Sequence, residues 1–126
     1  MTFETVLQTI VDECGGGYAA ALMGLDGIAV AQVTASSGRD REDPLAGDAT
    51  PAGIEFGRIL GEMTKVSDAL DAGPLRECVV SLGRVLIVFH PVDEELVLVV
   101  TLRPDGNLGK ARYLIRRNLP GIRAAL

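Results

Sequence analysis

Apolar residues recur at helical spacing in the first part of the chain and in strand-like runs directly after it. The apolar positions fall at i, i+3, i+4, i+7, i+8 and i+11, and they are Phe3, Val6, Leu7, Ile10, Val11 and Cys14. This spacing predicts an amphipathic helix over residues 3–14, capped by Thr2 and stopped by three consecutive glycines. Apolar runs at 18–25 and 28–34 flank Asp26-Gly27, a dipeptide typical of hairpin turns, so two antiparallel strands are predicted there.

A second helix and three further strands are predicted after a polar segment at 35–49. Thr50 followed by Pro51 has the order of a cap and a first helical position, which predicts a helix over residues 50–71 that ends before Gly73-Pro74. Short links then join apolar runs at 77–82, 85–89 and 95–102, as in an antiparallel meander. The last run is apolar at every position from Leu96 to Val100, so it should lie in the middle of the sheet with both faces covered.

The predicted helix at 50–71 carries two distinct stripes. An apolar arc of about 120° is expected to pack on the sheet, and it contains Phe56, Ile59, Leu60, Met63, Val66 and Leu70. A second stripe has glycine at i, i+4 and i+8, namely Gly53, Gly57 and Gly61, bordered by Ile54 and Thr64. Each glycine costs a helix about 1 kcal/mol relative to alanine, so a close neighbour is expected. That neighbour is either a loop of the same chain or the same stripe of a symmetric partner.

The segment from Leu96 to Arg117 runs from a strand through a turn into a basic helix that begins near Gly109-Lys110. A phosphate-binding loop would need glycine at position 104 and a hydroxyl at position 111, but Pro104 and Ala111 stand there, so no nucleotide binding is expected. Asn107 is placed to cap the helix, and Gly109 is expected to allow close backbone approach. The helix should bury Leu108, Ala111, Ile115 and Leu119, and Pro120 should kink or end it.

Composition and charge narrow the class of protein. The 126 residues, 48% of them hydrophobic, fit one domain over residues 1–126. Neither a signal peptide nor an apolar run long enough for a membrane span is visible, so a cytoplasmic protein with no membrane partner is expected. From Arg103 onward there are six basic residues and one acidic residue on a chain of net charge −5. Nucleic acid is not expected as a partner of so acidic a chain; the basic face is interpreted as solvated or paired with the chain's own carboxylates.

No catalytic, cofactor-binding or metal site is predicted. Cys14 and Cys78 are too far apart for a zinc motif and are expected to be buried thiols. His90 is the one histidine and has no serine, cysteine or second histidine near it in sequence, so a structural or exposed role is expected.

Two segments, LMGLDGIAVA at Leu22 to Ala31 and RPDGNLGKARYLIRR at Arg103 to Arg117, together with the element order, resemble the Roadblock/dynein light-chain family, in its bacterial MglB-like branch. The resemblance covers nearly the whole chain. It implies an α+β fold: a single Roadblock-like, profilin-like α/β/α sandwich with a five-stranded antiparallel sheet in the order α-β-β-α-β-β-β-α. The first and third helices are expected on one face and the middle helix on the other.

The resemblance also implies a homodimer formed through the middle helix and the following strand. On this chain the expected interface residues are Gly53, Ile54, Gly57, Gly61, Thr64, Cys78 and Val80. The implied function is that of a non-enzymatic regulator of the GTPase activity of a Ras-like small GTPase, or of an adaptor for it. The charged side of the same helix supplies the contact candidates Glu55, Arg58, Glu62 and Lys65. Two alternatives stay open: a structural scaffold or light-chain-like subunit without GTPase contact, and a small-molecule sensor.

Overall fold

The computed structural model describes residues 2–36 and 47–126, so most of the polar segment predicted at 35–49 lies outside the described residues. Three helices and five strands follow the predicted order. They are α1 (Phe3–Glu13), β1 (Gly17–Gly24), β2 (Ala29–Thr34), α2 (Thr50–Ala69), β3 (Cys78–Ser81), β4 (Leu86–Pro91), β5 (Leu96–Leu102) and α3 (Leu108–Ala124).

The strands form one antiparallel sheet in the order β2-β1-β5-β4-β3. The fully apolar strand β5 lies at its centre, as predicted, and pairs with β1 on one side and β4 on the other, with Val100 opposite both Ala20 and Val88. The predicted meander β3-β4-β5 is confirmed. The β1–β2 hairpin is confirmed as well: the Gly24 N–H donates to the Ile28 carbonyl oxygen at 2.8 Å, and Gly27 has φ +90°.

Side chains alternate along the strands between two apolar layers, as a pleated sheet requires. One layer packs the sheet against α1 and α3, and contains Leu7, Ile10, Leu98, Val100 and Ile115 among its buried members. The other lies on the α2 side and contains Met23, Leu60, Ile87, Phe89 and Val99. The first and third helices therefore share one face of the sheet and α2 covers part of the other, which confirms the α/β/α arrangement.

The helix ends are only partly as predicted. Thr2 caps α1, since its hydroxyl accepts from the Thr5 N–H at 3.2 Å, and Asn107 caps α3 by accepting from the Lys110 N–H at 3.0 Å. The assignment of Thr50 as a cap is wrong: Thr50 is the first helical residue, and its own N–H donates to Asp48 Oδ1 at 2.8 Å. The α2 helix also ends at Ala69, two residues before the predicted end, and Asp71 adopts a left-handed φ of 52°.

The last helix passes through Pro120 and continues to Ala124, so of the two predicted alternatives, a kink or an end at Pro120, the end is wrong. Its final turn is held to the body of the protein because Ile122 is buried and Arg123 Nε donates to the Val92 carbonyl oxygen at 2.9 Å. These tertiary contacts outweigh the backbone hydrogen bond that proline removes.

Close backbone approach occurs near this corner, but not at Gly109, where it was predicted. A Cβ placed on Gly109 would meet nothing nearer than Asn107 Oδ1 at 3.7 Å, whereas one on Gly16 would lie 2.8 Å from the Gly106 Cα. The turn after α1 therefore touches the turn before α3. Two hydrogen bonds join these turns, from the Arg103 N–H to the Gly16 carbonyl and from the Asn107 N–H to the Gly15 carbonyl, each at 2.8 Å.

Part of the basic surface of α3 is paired with the chain's own carboxylate, as expected. Glu77, just before β3, forms an ion pair with Arg112, whose Nε lies 2.6 Å from Glu77 Oε1. Glu77 Oε2 also accepts a hydrogen bond from Arg116 Nη2 at 3.4 Å, and only 15% of the Glu77 side chain is exposed. This clamp ties the middle of α3 to the β3 edge of the sheet. Among the described residues, no helix is both long and apolar enough to cross a bilayer.

Candidate interaction surface

The first half of α2 packs on the sheet of its own chain. Gly53 is buried because the Met23 thioether of β1 occupies the space where a Cβ would be. Leu60 is buried, and the Phe56 ring lies on Phe89 of β4 with the ring centroids 5.3 Å apart and the planes inclined by 46°. These contacts fix the orientation of the helix: its Gly53 side faces β1 and its Phe56 side faces β4.

The second half of α2 has almost no cover. None of the ten residues from Gly61 to Leu70 is buried. An apolar strip runs from Ile59 to Leu70, just past the end of the helix, with exposed fractions of 45% for Ile59, 36% for Met63, 58% for Val66 and 70% for Leu70. The prediction that the whole arc packs on the sheet is therefore wrong for Ile59 and for every position beyond Leu60; of the arc, only Phe56 and Leu60 pack on the apolar layer of the sheet. The apolar strip, defined as Ile59, Met63, Val66 and Leu70, is a surface in the single chain.

The glycine stripe meets three different environments. Met23 occupies the space where a Cβ on Gly53 would lie. A Cβ on Gly57 would lie 4.0 Å from the Leu25 carbonyl oxygen, and a Cβ on Gly61 would meet nothing within 4 Å. Close approach at Gly53 is therefore an approach within the chain. Thr64, which borders the stripe, is exposed, and its hydroxyl donates to the Leu60 carbonyl oxygen at 3.1 Å.

Strand β3 forms an edge of the sheet. It pairs with β4 through the register Cys78 to Phe89 and Val80 to Ile87, and it is the last strand in the sheet order. Cys78 and Val80 point to the α2 side, where they are half-buried against its apolar layer. Edge strands carry a row of backbone groups that can pair with another strand. The apolar strip and this edge lie on the same side of the sheet, because Cys78 and Val80 belong to the apolar layer that packs on α2.

The four charged candidates lie together on the outer side of α2. Glu55, Arg58, Glu62 and Lys65 are all exposed. Lys65 Nζ lies 3.3 Å from Glu62 Oε1, and both side chains are well exposed, so this pair contributes little to stability. The charged side adjoins the apolar strip because Glu62 and Val66 are four residues apart, a spacing that makes side chains neighbours on a helix surface.

A second apolar patch at the β1–β2 hairpin was missed in the sequence. Leu25, Ile28, Val30 and Ile54 are between 48% and 68% exposed, and Ile54 Cγ1 would lie 3.6 Å from a Cβ on Gly27. The alternation of Ile28 and Val30 along an edge strand was the available signal, since two residues apart means one face of the strand. What the sequence could not tell is that no helix of residues 2–36 and 47–126 buries Ile28 or Val30.

The two cysteines and the histidine considered in the sequence, Cys14, Cys78 and His90, lie in structural surroundings. Burial raises the pKa of the Cys14 thiol. It also raises the pKa of the Cys78 thiol, which is only half-buried. Burial lowers the pKa of His90, which the Pro91 carbonyl and Glu77 oppose only in part. Within residues 2–36 and 47–126, no three histidine, cysteine, aspartate or glutamate side chains come together as a metal site would require.

Known structures share this fold, although no family model and no curated protein sequence matches the chain. MglC from Myxococcus xanthus is 32% identical, and the match covers 100% of both chains with a TM-score of 0.70. A Roadblock/LC7 domain from Streptomyces avermitilis is 15% identical over 99% of this chain and 98% of its own, with a TM-score of 0.79. The gliding protein MglB from Thermus thermophilus is 17% identical over 95% of this chain and 84% of its own, with a TM-score of 0.77.

Proposed function

Because the chain belongs to the Roadblock/LC7 family, in its bacterial MglB-like branch, we propose that it acts as a homodimeric, non-enzymatic regulator or adaptor for a Ras-like small GTPase. The observation that carries the proposal is the exposed apolar strip of α2, together with the edge strand β3, whose Cys78 and Val80 side chains point to the same side of the sheet. Four exposed large apolar side chains on one helix flank are typical of an interface and costly to leave in water.

The proposed dimer joins the apolar strip and the β3 edge of one protomer to those of its partner. A two-fold axis allows one surface to serve both protomers. Pairing of β3 near Cys78 and Val80 would extend the sheet across the dimer. The proposed interface is centred nearer to β3 than an interface centred on the glycine stripe would be. The reason is that Met23 of the same chain already covers Gly53. Gly61 and Thr64 stay proposed contacts because they lie in the uncovered half of α2, and Ile54 and Gly57 stay proposed contacts at its margin.

The oligomeric state can be tested with one variant and a matched control. Val66→Glu puts a charge in the middle of the apolar strip and should convert the dimer to a monomer, because a carboxylate buried without a partner costs several kcal/mol. Lys65→Glu changes the neighbouring residue on the outer side and should leave the dimer intact. Sedimentation velocity measures both. A parent protein that sediments as a monomer would contradict the proposal, as would a Val66→Glu variant that remains dimeric.

The proposed GTPase contact is the charged outer side of α2. In a dimer built on this helix, Glu55, Arg58, Glu62 and Lys65 of the two protomers lie side by side as one polar platform. Charges at the rim of such a contact mainly set the association rate and its dependence on salt. Hydrolysis by the partner would be affected through its switch regions, or through an arginine supplied in trans, for which Arg58 is the candidate on this surface.

Binding is tested with the purified dimer and the Ras-like GTPases of its own host, each loaded with GDP and with a GTP analogue. Arg58→Glu should slow association, while Arg117→Glu, an equal charge change on α3 across the sheet, should not. Biolayer interferometry at two salt concentrations separates the two effects. If no GTPase binds at tens of micromolar, or if both variants bind like the parent, a scaffold without GTPase contact replaces this function.

A further inference from the structure

The outward side of α3 carries an exposed tyrosine surrounded by cations. Tyr113 is 51% exposed, and Lys110, Arg116 and Arg117 are exposed at three or four positions from it. Side chains at these spacings are neighbours on a helix surface. We call this set the α3 basic face. It lies opposite the buried side of α3, where Ala111, Ile115 and Ile122 pack into the core.

The charges of this helix divide into a satisfied flank and an open one. Arg112 and Arg116 pair with Glu77. In the described part of the chain, neither the ammonium group of Lys110 nor the guanidinium group of Arg117 takes part in an ion pair or a hydrogen bond. The hydrogen bond of Lys110 to Asn107 is made by its backbone N–H. Two cations thus remain available on the side of Tyr113 that faces away from Glu77.

The sign of this face is opposite to that of the rest of the protein. The chain has net charge −5, yet only one of its seventeen acidic residues lies beyond Arg103. A basic face on an acidic protein selects its partner: a polyanion such as nucleic acid would be repelled by the rest of the surface. A short acidic segment, which needs only the local face, would not.

We propose that the α3 basic face binds an acidic segment of a partner protein. Carboxylates of the segment would pair with Lys110 and Arg117, and an apolar side chain between them would pack on the Tyr113 ring. Tyrosine and arginine are enriched in protein contacts because a rigid ring or planar group gives contact area at low entropy cost.

The position of this face makes it independent of α2. The α3 helix lies on the opposite side of the sheet, so a partner on α3 and a partner on α2 can be bound at the same time. In the proposed dimer the two α3 basic faces would also present two equal sites to a bivalent partner. This last step rests on the proposed self-association, whereas binding of one segment to one protomer does not.

The test uses fluorescence anisotropy with a short fluorescein-labelled peptide of alternating Glu and Leu residues, and the same peptide with Gln for Glu as neutral control. The full-length parent should bind the acidic peptide saturably, and the neutral peptide should bind at least about tenfold more weakly, a difference near 1.4 kcal/mol. Affinity should fall as salt is raised.

Variants of equal net charge locate the site. Lys110→Glu with Arg117→Glu should weaken binding about tenfold or more, and Tyr113→Ala should weaken it without changing its salt dependence. Arg58→Glu with Lys65→Glu, the same charge change on α2, should leave it unaltered. Circular dichroism checks that all variants are folded.

Three results of the binding measurements would overturn the proposal: no saturable binding of the acidic peptide, equal binding of the neutral peptide, or equal losses in the α2 and α3 double variants. A change of oligomeric state in the α3 double variant alone would also overturn it, since the face would then be a contact between copies. A monomeric parent that still binds the peptide through α3 would remove the proposed dimer and leave this inference standing.

Discussion

Gly53 and Gly61 show that one residue type on one helix can be required at one position and dispensable at another. Gly53→Ala places a methyl group where the fully buried Met23 lies, so unfolding free energy should fall by about 1–3 kcal/mol through overpacking. Gly61→Ala meets open space and should gain about 1 kcal/mol from helix propensity. Urea denaturation of both variants at low protein concentration measures the difference. A Gly53→Ala protein as stable as the parent would contradict the packing seen here.

His90 gives the protein a pH dependence of defined sign. It is buried on β4, where Glu77, Arg116 and Arg123 act on it from outside, and burial holds its pKa below the ordinary histidine value of about 6.5. As pH falls below that value, the unfolded chain takes up a proton that the folded chain refuses, so stability falls until the pH reaches the lower folded pKa. This stability should be fully retained above pH ~7.

The His90→Gln variant removes the imidazole that takes up this proton in the unfolded chain. Its unfolding free energy should change less between pH 7 and pH 5.5 than that of the parent, as followed by urea denaturation at several pH values. Equal slopes in the two proteins would show that another group sets the dependence in this range.

At the scale of elements, Glu77 joins α3 to the β3 edge. Its two arginine partners are about half-exposed while its own side chain is 15% exposed, so the cost of Glu77→Gln lies between those of a surface and a buried pair. We expect a loss of about 1–2 kcal/mol. Glu62→Gln, which breaks the exposed pair with Lys65, is the matched control and should change stability by less than about 0.5 kcal/mol. Thermal unfolding compares the two, and similar losses would argue against a structural role for the Glu77 clamp.

Most elements could be predicted from the sequence because each has a local signal. The period of apolar residues in α1, the Asp26-Gly27 turn and the uninterrupted apolar run of β5 are decided within the segment itself. The fate of Pro120 was not, because what carries α3 past it are the distant contacts of Ile122 and Arg123. The close approach of Gly16 and Gly106 likewise joins two turns far apart in sequence, and no local pattern marks it.

The candidate surface could be located on α2 from the sequence. The sequence did not show which part of the apolar arc packs on the sheet and which part is exposed. Sequence periodicity identifies an apolar arc, and the same period fits a helix that packs on its own sheet or on another molecule. The neighbours that the fold places around each position decide between them, and no residue of α2 beyond Leu60 is buried. The hairpin patch escaped prediction for the same reason, since exposure depends on which neighbours are present.

At the scale of the whole molecule, burial of the apolar strip should make stability depend on protein concentration. If folding and association are linked, the Tm of the parent should fall on dilution, because the dimer is favoured by mass action. The Tm of Val66→Glu should not move over the same range. Differential scanning fluorimetry across a hundredfold dilution (~2.7 kcal/mol of mass action) makes the comparison, and a parent Tm that is independent of concentration would exclude a folding-linked dimer in that range.

The pairing of β1 with β5 has a kinetic consequence. These strands are neighbours at the centre of the sheet, yet the Thr101 hydroxyl donates to the Ala19 carbonyl across a sequence separation of 82 residues. Loop closure over such a distance must precede the contacts that reward it, so the centre of the sheet forms slowly compared with helical proteins of this size, on the scale of milliseconds to seconds (~10⁻³–1 s). During synthesis the β1–β2 hairpin therefore emerges long before β5, which pairs with its inner edge, and in that interval the backbone groups of the β1 edge are open to pairing with another chain.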